Sequence, residues 1–258
     1  MPRQRAGFGV AAVSGAATSL IETIGVFRGE LRLLARHQAR LGAAMLALGD
    51  REPIPVNLQQ RAETLLRQHP GHDMVRVERR LPACGTDGEF VLSSRSRAQS
   101  PWARSRTGEP VRLLPVVGRR PTAAPAAEYK AEPRTYWDAV LHEARSGGAD
   151  DGILLGDDGA VLETAVGNLW LLLDSVWTTP PLDGRVLPGI ARALLLERAA
   201  LAAIPVAERR LDLGDLHRAE VLVVSNAAFG PVLAGLVSAS VADCNTSLQR
   251  LWRFAVGD

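Results

Sequence analysis

The sequence predicts an α/β fold, of the α+β kind, divided into two domains, on three observations. Short strand-like runs alternate with amphipathic helical stretches in both halves of the chain. A Pro/Ala-rich stretch at 121–127 separates those halves as a linker would. In the second half, an apolar run at 153–155, an Asp157-Asp158-Gly159 turn, a second run into Glu163 and a third at 168–173 have hairpin spacing. The expected division is an N-terminal domain over 1–120, a linker over 121–129 and a C-terminal domain over 130–258. A chain of 258 residues suits two modest domains of roughly 100–200 residues.

Composition narrows the function classes. Hydrophobic residues make up 47% of the chain, ample for buried cores. Thirty Lys+Arg against 28 Asp+Glu leave a formal charge of +2, which implies no nucleic-acid partner. Cys84 and Cys244 have no second Cys or His at ligand spacing, so no metal site and no disulfide framework is expected. No run approaches the roughly 20 apolar residues of a membrane span, and the weakly apolar start is not a secretory core, so a cytoplasmic setting is expected.

The first half reads in order as follows. A strand is expected at 7–13, then strand, Gly-containing turn and strand over 19–34, and a helix from 35 to 48. A second helix covers 58–68 and is stopped by His69-Pro70-Gly71. Residues 74–81 alternate as a strand, and 90–92 form a short one. The Ser/Arg/Gly-rich stretch 93–110 reads as a flexible, solvated excursion, and 111–117 returns as a strand.

The second half opens on Lys130, the only lysine among the 30 cationic residues. An amine on a flexible stem can lose its proton when desolvated and attack a carbonyl, which a guanidinium cannot do, so Lys130 is the candidate for a covalent role. Thirty-three residues on (163 − 130) comes the carboxylate of Glu163. Leu187-Pro188-Gly189-Ile190 then leads into an Ala/Leu/Arg helix over 191–203, and a glycine at a helix start leaves backbone N–H groups for a phosphate. Residues 206–211 and 220–224 read as strands, with a short helix beginning at Leu213 between them. Ser225-Asn226-Ala227 reads from its residues alone as an Asn turn, and 246–254 as a closing helix.

Lys130, the Glu163-x-x-x-Gly167-Asn168-Leu169 motif, Thr179-Pro180-Pro181 and Leu187-Pro188-Gly189-Ile190-x-Arg192 together resemble the fold-type IV pyridoxal phosphate enzymes, the class IV aminotransferase family. The resemblance implies a D-amino-acid aminotransferase-like fold with pyridoxal 5'-phosphate between the domains and a homodimeric assembly. Lys130 would form the Schiff base and move the substrate proton, and Glu163 would face the pyridine nitrogen. Arg40, from a His-x-x-Arg-Leu element, would hold the phosphate with Gly189-Ile190 and Asn226-Ala227. An arginine near the end of strand 74–81, Arg79 or Arg80, and Arg134 would contact the amino substrate.

Within the family, Lys130-Ala131-Glu132-Pro133-Arg134 followed by Asp138-Ala139 looks most like the 4-amino-4-deoxychorismate lyase branch, with Ala131 and Glu132 in place of two threonines. Thr135 stands where branched-chain transaminases carry tyrosine. The strand pair and Gly-Asp-Gly loop that open many members have no counterpart in residues 1–18. Elimination of pyruvate to give 4-aminobenzoate for folate synthesis is the activity this implies. A branched-chain or D-amino-acid transaminase is the alternative, and a relative that binds cofactor without turnover is another.

Overall fold

The computed structural model describes residues 17–83, 87–120, 128–237 and 247–256, with the side chains of 117–120 and 254–256 excluded. The strand expected at 7–13, the linker at 121–127 and both cysteines lie outside the described residues.

In chain order, β1 (Ser19–Phe27) and β2 (Glu30–Leu31) form a hairpin, followed by α1 (Leu34–Ala47) and α2 (Leu58–Gln68). Next come β3 (Met74–Arg80), β4 (Glu89–Arg95), β5 (Val111–Arg120), β6 (Ala131–Glu132) and α3 (Thr135–Ser146). Then follow β7 (Asp151–Gly156), β8 (Val161–Thr164), β9 (Asn168–Leu173), β10 (Val176–Thr179) and α4 (Ile190–Leu201). The chain closes with β11 (Val206–Glu208), α5 (Leu213–Arg218), β12 (Val221–Asn226), β13 (Gly230–Leu236) and α6 (Ser247–Val256).

These elements build two sheets. The smaller runs β2-β1-β3-β4, with β6 also paired to β1. The larger runs β11-β10-β9-β12-β13-β5-β7-β8 and mixes parallel with antiparallel pairs. Each sheet takes one strand from across the 121–129 stretch. β5 inserts between β13 and β7 of the larger sheet, and β6 returns to β1 of the smaller one.

Strand alternation sorts the residues of the smaller sheet. Leu20, Ile24 and Val26 with Val75 and Val77 face α1 and α2, where they pack on Leu41, Met45 and Leu58. The opposite face turns toward the larger sheet. At Gly25 that approach is so close that a Cβ would lie 2.9 Å from the Cα of Ala228, in the turn after β12. Arg97 clamps the junction, donating to the carbonyl oxygens of Ala228 at 3.0 Å and Val26 at 3.3 Å while paired with Asp73.

One reading of the sequence differs from the structure, and one strand was not foreseen. The 93–110 excursion is ordered: it carries two short 3-10 turns and buries Trp102 completely, its indole N–H donating to Asp151 at 2.8 Å and its ring edge-on to Phe229. A tryptophan with a buried acceptor anchors a loop that charge content alone marks as solvated. The Asn226 turn is present, and beyond it β13, which the sequence reading did not place, pairs with both β12 and β5.

Candidate active site

Lys130 immediately precedes β6, and its carbonyl accepts from the amide of Ile21 on β1 at 2.7 Å. With Leu20↔Ala131 and Ser19↔Glu132 as the adjoining pairs, this places Lys130 opposite Ile21, on the sheet face turned away from α1 and α2. The residue retains partial exposure. The crowding of protein around the amine, and then the charges of Arg134, Arg40 and Arg76, pull its pKa from 10.5 down to about 7, against the opposing pull of Glu22. An amine so placed is about half neutral at neutral pH, the state a nucleophile or general base requires.

Glu163 is buried at the end of β8, with one carboxylate oxygen accepting from the indole N–H of Trp137 on α3 at 3.1 Å. The other accepts from the backbone N–H of Leu187 at 3.1 Å and from Asn168 at 3.4 Å. Asn168 also donates to the carbonyl of Leu187 at 2.9 Å. One carboxylate and one amide thus hold the turn that enters α4. Glycine is required at 189 because a Cβ there would lie 1.9 Å from the side-chain oxygen of Asn168. Gly189 caps α4, so Ile190 and the next residues offer the unpaired N–H groups of a twelve-residue helix.

Arg40 brings the smaller sheet's helix to the same turn, its guanidinium donating to the Pro188 carbonyl at 3.3 Å. Its other edge forks onto Glu22 of β1, at 2.8 and 2.6 Å. His37 approaches Glu22 within 2.6 Å through Nδ1. Burial would raise the Glu22 pKa, but the His37 hydrogen bond and the charge and hydrogen bonds of Arg40 outweigh it and carry it down to about 2. An ionised carboxylate can only accept, so Nδ1 of His37 carries the proton, and its buried Nε2 has no partner among the described residues. Burial, only partly opposed by Glu22, lowers the His37 pKa and keeps the ring neutral.

At the end of β12, the side chain of Asn226 donates to the carbonyl of Val166 at 3.3 Å and accepts from the amides of Ala228 and Phe229, both at 3.0 Å. The Asn side chain therefore shapes its own turn, and Ala227 stands partly exposed within it. Ser225 is fully buried, accepting from the Trp170 indole at 2.9 Å.

Glu163, Gly189, Ile190 and Arg40 are joined through these links, and Lys130 lies within reach of the charges of Arg134 and Arg40. Arg134 donates to the carbonyl of Ala165, two residues past Glu163, at 2.5 Å. Arg79 is not part of this group. Arg79 is buried on the helix-facing side, forked onto Asp50 at 2.7 and 3.1 Å, and Arg80 is exposed and paired with Glu89. By register Arg76 and Arg80 both lie on the Lys130 face, and Arg76 donates to Glu132 at 2.7 Å. Glu132, one of the two departures from the family pattern, also accepts from the backbone N–H of Arg134 at 3.0 Å.

Sequence reasoning assigned no role to Glu22 or Trp137. A lone carboxylate in the otherwise apolar run Leu20–Ile21–Glu22 was the available signal for the first. A cleft of about 550 Å³ at the other end of β1, lined by Phe27, Asp73 and Arg97, lies away from this group. Among the described residues, no cluster of His, Cys, Asp and Glu could hold a metal ion, and no helix is long and apolar enough to cross a membrane.

The donor set fits a group with a phosphate at one end and a protonatable ring nitrogen at the other: cationic Arg40 beside a helix start, a buried carboxylate held by three donors, and a near-neutral amine. The chain belongs to the amino-transferase class IV family, whose pattern matches residues 19–233. It is 34% identical over 95 residues to a putative branched-chain-amino-acid aminotransferase of Methanocaldococcus jannaschii, a match covering 36% of this chain and 33% of that protein. The chain thus spans about a third of the length of the curated relatives it matches first. Among solved structures, it resembles a putative 4-amino-4-deoxychorismate lyase from Legionella pneumophila with a TM-score of 0.80 and 20% identity, over 92% of this chain and 90% of that one. It resembles the 4-amino-4-deoxychorismate lyase of Pseudomonas aeruginosa with a TM-score of 0.73 and 25% identity, over 93% and 90%.

Proposed function

We propose that this chain is a pyridoxal phosphate-dependent 4-amino-4-deoxychorismate lyase, releasing pyruvate and 4-aminobenzoate for folate synthesis in the cytoplasm. The observation that carries the reading is the amine of Lys130, held near neutrality in a group that also contains a buried, triply hydrogen-bonded carboxylate. The cofactor, when bound, supplies an electron sink for the carbon that loses a proton.

The chain's own residues do the rest. Arg40 and the start of α4 at Gly189-Ile190 bind the phosphate, with the Asn226-Ala227 turn as a second contact. Glu163 holds a proton on the ring nitrogen, since an anion beside that nitrogen raises its pKa. Lys130 anchors the cofactor and, once displaced by the substrate amine, takes up and returns the substrate proton. A homodimer is the assembly proposed, and a molar mass measured by light scattering after size exclusion tests it.

The lyase is preferred because its likeness runs over 90% of the Pseudomonas enzyme at 25% identity. A class IV aminotransferase acting on branched-chain or D-amino acids is the second reading, supported by the curated relatives, which are named branched-chain aminotransferases. Incubation with 4-amino-4-deoxychorismate decides between them. Pyruvate released without any keto-acid acceptor is the expected result. Turnover that waits on 2-oxoglutarate overturns the lyase in favour of the transaminase, and no turnover of either kind points to a non-catalytic relative.

A further inference from the structure

Asp151, the first residue of β7, is a fully buried carboxylate to which the proposed function gives no task. Its two oxygens hold different parts of the chain. Oδ2 accepts from the indole N–H of Trp102 at 2.8 Å, and Oδ1 accepts from the amides of Gly152 at 2.8 Å and Ala165 at 3.1 Å. A carboxylate taken out of water is costly unless such donors replace the water, so these contacts fix where Asp151 lies.

Both oxygens lead to one turn, the Thr164–Gly167 connection from β8 to β9, with Glu163 immediately before it and Asn168 immediately after. The turn is closed on itself by the Thr164 amide and hydroxyl, which donate to the Gly167 carbonyl at 2.8 and 3.0 Å. Asp151 grips it directly through the Ala165 amide, which the Gly152 carbonyl shares at 3.0 Å. Trp102 grips it through Gly167, where a Cβ would lie 2.8 Å from Cζ2 of the indole. Trp102 is itself completely buried, and it comes from the segment that passes from β4 in the smaller sheet to β5 in the larger. Asp151, Trp102 and the turn thus close a ring of contacts, and in a packed interior a shift of one moves the others. Filling the same space needs only apolar side chains. A carboxylate divided between an indole and a backbone amide does something more, since it sets direction as well as volume.

We infer that Asp151 and Trp102 are positioning residues, which fix the turn between Glu163 and Asn168 and so aim the Glu163 carboxylate at the ring nitrogen of the cofactor. The inference rests on the function proposed above and deepens it. Glu163 and Asn168 are bonded to each other at 3.4 Å and both hold Leu187, so the direction of the carboxylate follows the backbone of the turn that joins them.

The test compares pyridoxal 5'-phosphate with its deaza analogue, in which C–H replaces the ring nitrogen. The two probes share the aldehyde and the phosphate, so the contributions of Lys130 and Arg40 cancel from the ratio of their dissociation constants, while that of Glu163 does not. Wild type should bind the natural cofactor about tenfold more tightly, the effect of one charge-assisted hydrogen bond, and Glu163→Gln should remove the preference. Trp102→Phe keeps a ring in the core but loses the N–H, and it should cut the preference to about threefold or less. A merely structural role would weaken both probes alike and leave the ratio at its wild-type value, which overturns the inference. A second readout needs no cofactor. Trp137 donates its indole N–H to Glu163 at 3.1 Å, so in NMR spectra of the cofactor-free protein that indole resonance should shift in Trp102→Phe. An unmoved resonance likewise overturns the inference. Wild type that shows no preference, with a Trp137 resonance that does shift, leaves the positioning standing and removes the role of Glu163 from the proposed function. Should Trp102→Phe not fold, Asp151→Asn is read in its place against the same outcomes.

Discussion

Replacing Glu22 with Gln tests the joint between the two sheets. Glu22 is buried and accepts from His37 and twice from Arg40, the residue that reaches the Pro188 carbonyl. The fall of its pKa from 4.5 to about 2 corresponds to about 3 kcal/mol of stability at neutral pH, at roughly 1.4 kcal/mol per pH unit. Because the folded-state pKa is depressed, this contribution is complete above pH 4.5 and is lost as the pH falls toward 2. Gln keeps one acceptor oxygen but turns an NH₂ toward a donor, so the contribution disappears and the half-buried Arg40 guanidinium is left poorly paired. Urea unfolding should place Glu22→Gln about 3 kcal/mol below wild type at pH 7, and about half that at pH 3. A gap under about 1 kcal/mol at pH 7, or one unchanged between pH 7 and pH 3, would refute the reasoning.

Arg79→Ala should lower stability by about 3–5 kcal/mol in urea unfolding, because it strands Asp50 in the interior, whereas Arg80→Ala should stay within about 1 kcal/mol of wild type. Asp151 titrates in the opposite sense to Glu22. Burial, against hydrogen bonds from Trp102, Thr164, Gly152 and Ala165, raises its pKa from 3.8 to about 6, so its contribution to stability is full below pH 3.8 and is lost as the pH rises through 6. Relative to Asp151→Asn, wild type should therefore lose about 2 kcal/mol between pH 4 and pH 6.5 in urea unfolding, and a flat difference would count against it.

What could be read from the sequence was mostly local. The hairpin at β7–β8, the helices α1, α2 and α4 and the strand β1 follow from periodicity and turn residues, and the lone lysine and the Glu163 motif identified the chemical group. The rest depended on register, which one sequence does not display. Alternation along 74–80 places Arg76, Glu78 and Arg80 on one face but does not say which face meets Lys130. Only the Ile21 to Lys130 bond and the β1–β3 pairing do so, and they put Arg76 and Arg80 on that face and Arg79 on the other. Trp102 shows the same limit: its acceptor, Asp151, is 49 residues away in the chain. So does the exchange of β5 and β6 between sheets, since a linker read from composition carries no record of which sheet its flanks will join.

The central claim, that Lys130 anchors pyridoxal phosphate, is open to an unusually clean measurement because the chain has no other lysine. Protein reconstituted with the cofactor is reduced with borohydride and digested, and the peptides are weighed by mass spectrometry. The predicted result is a pyridoxyl-phosphate adduct on the peptide containing Lys130, with no adduct on Lys130→Ala treated in parallel. An unmodified Lys130 peptide, or label confined to the N-terminal amine, would contradict the account.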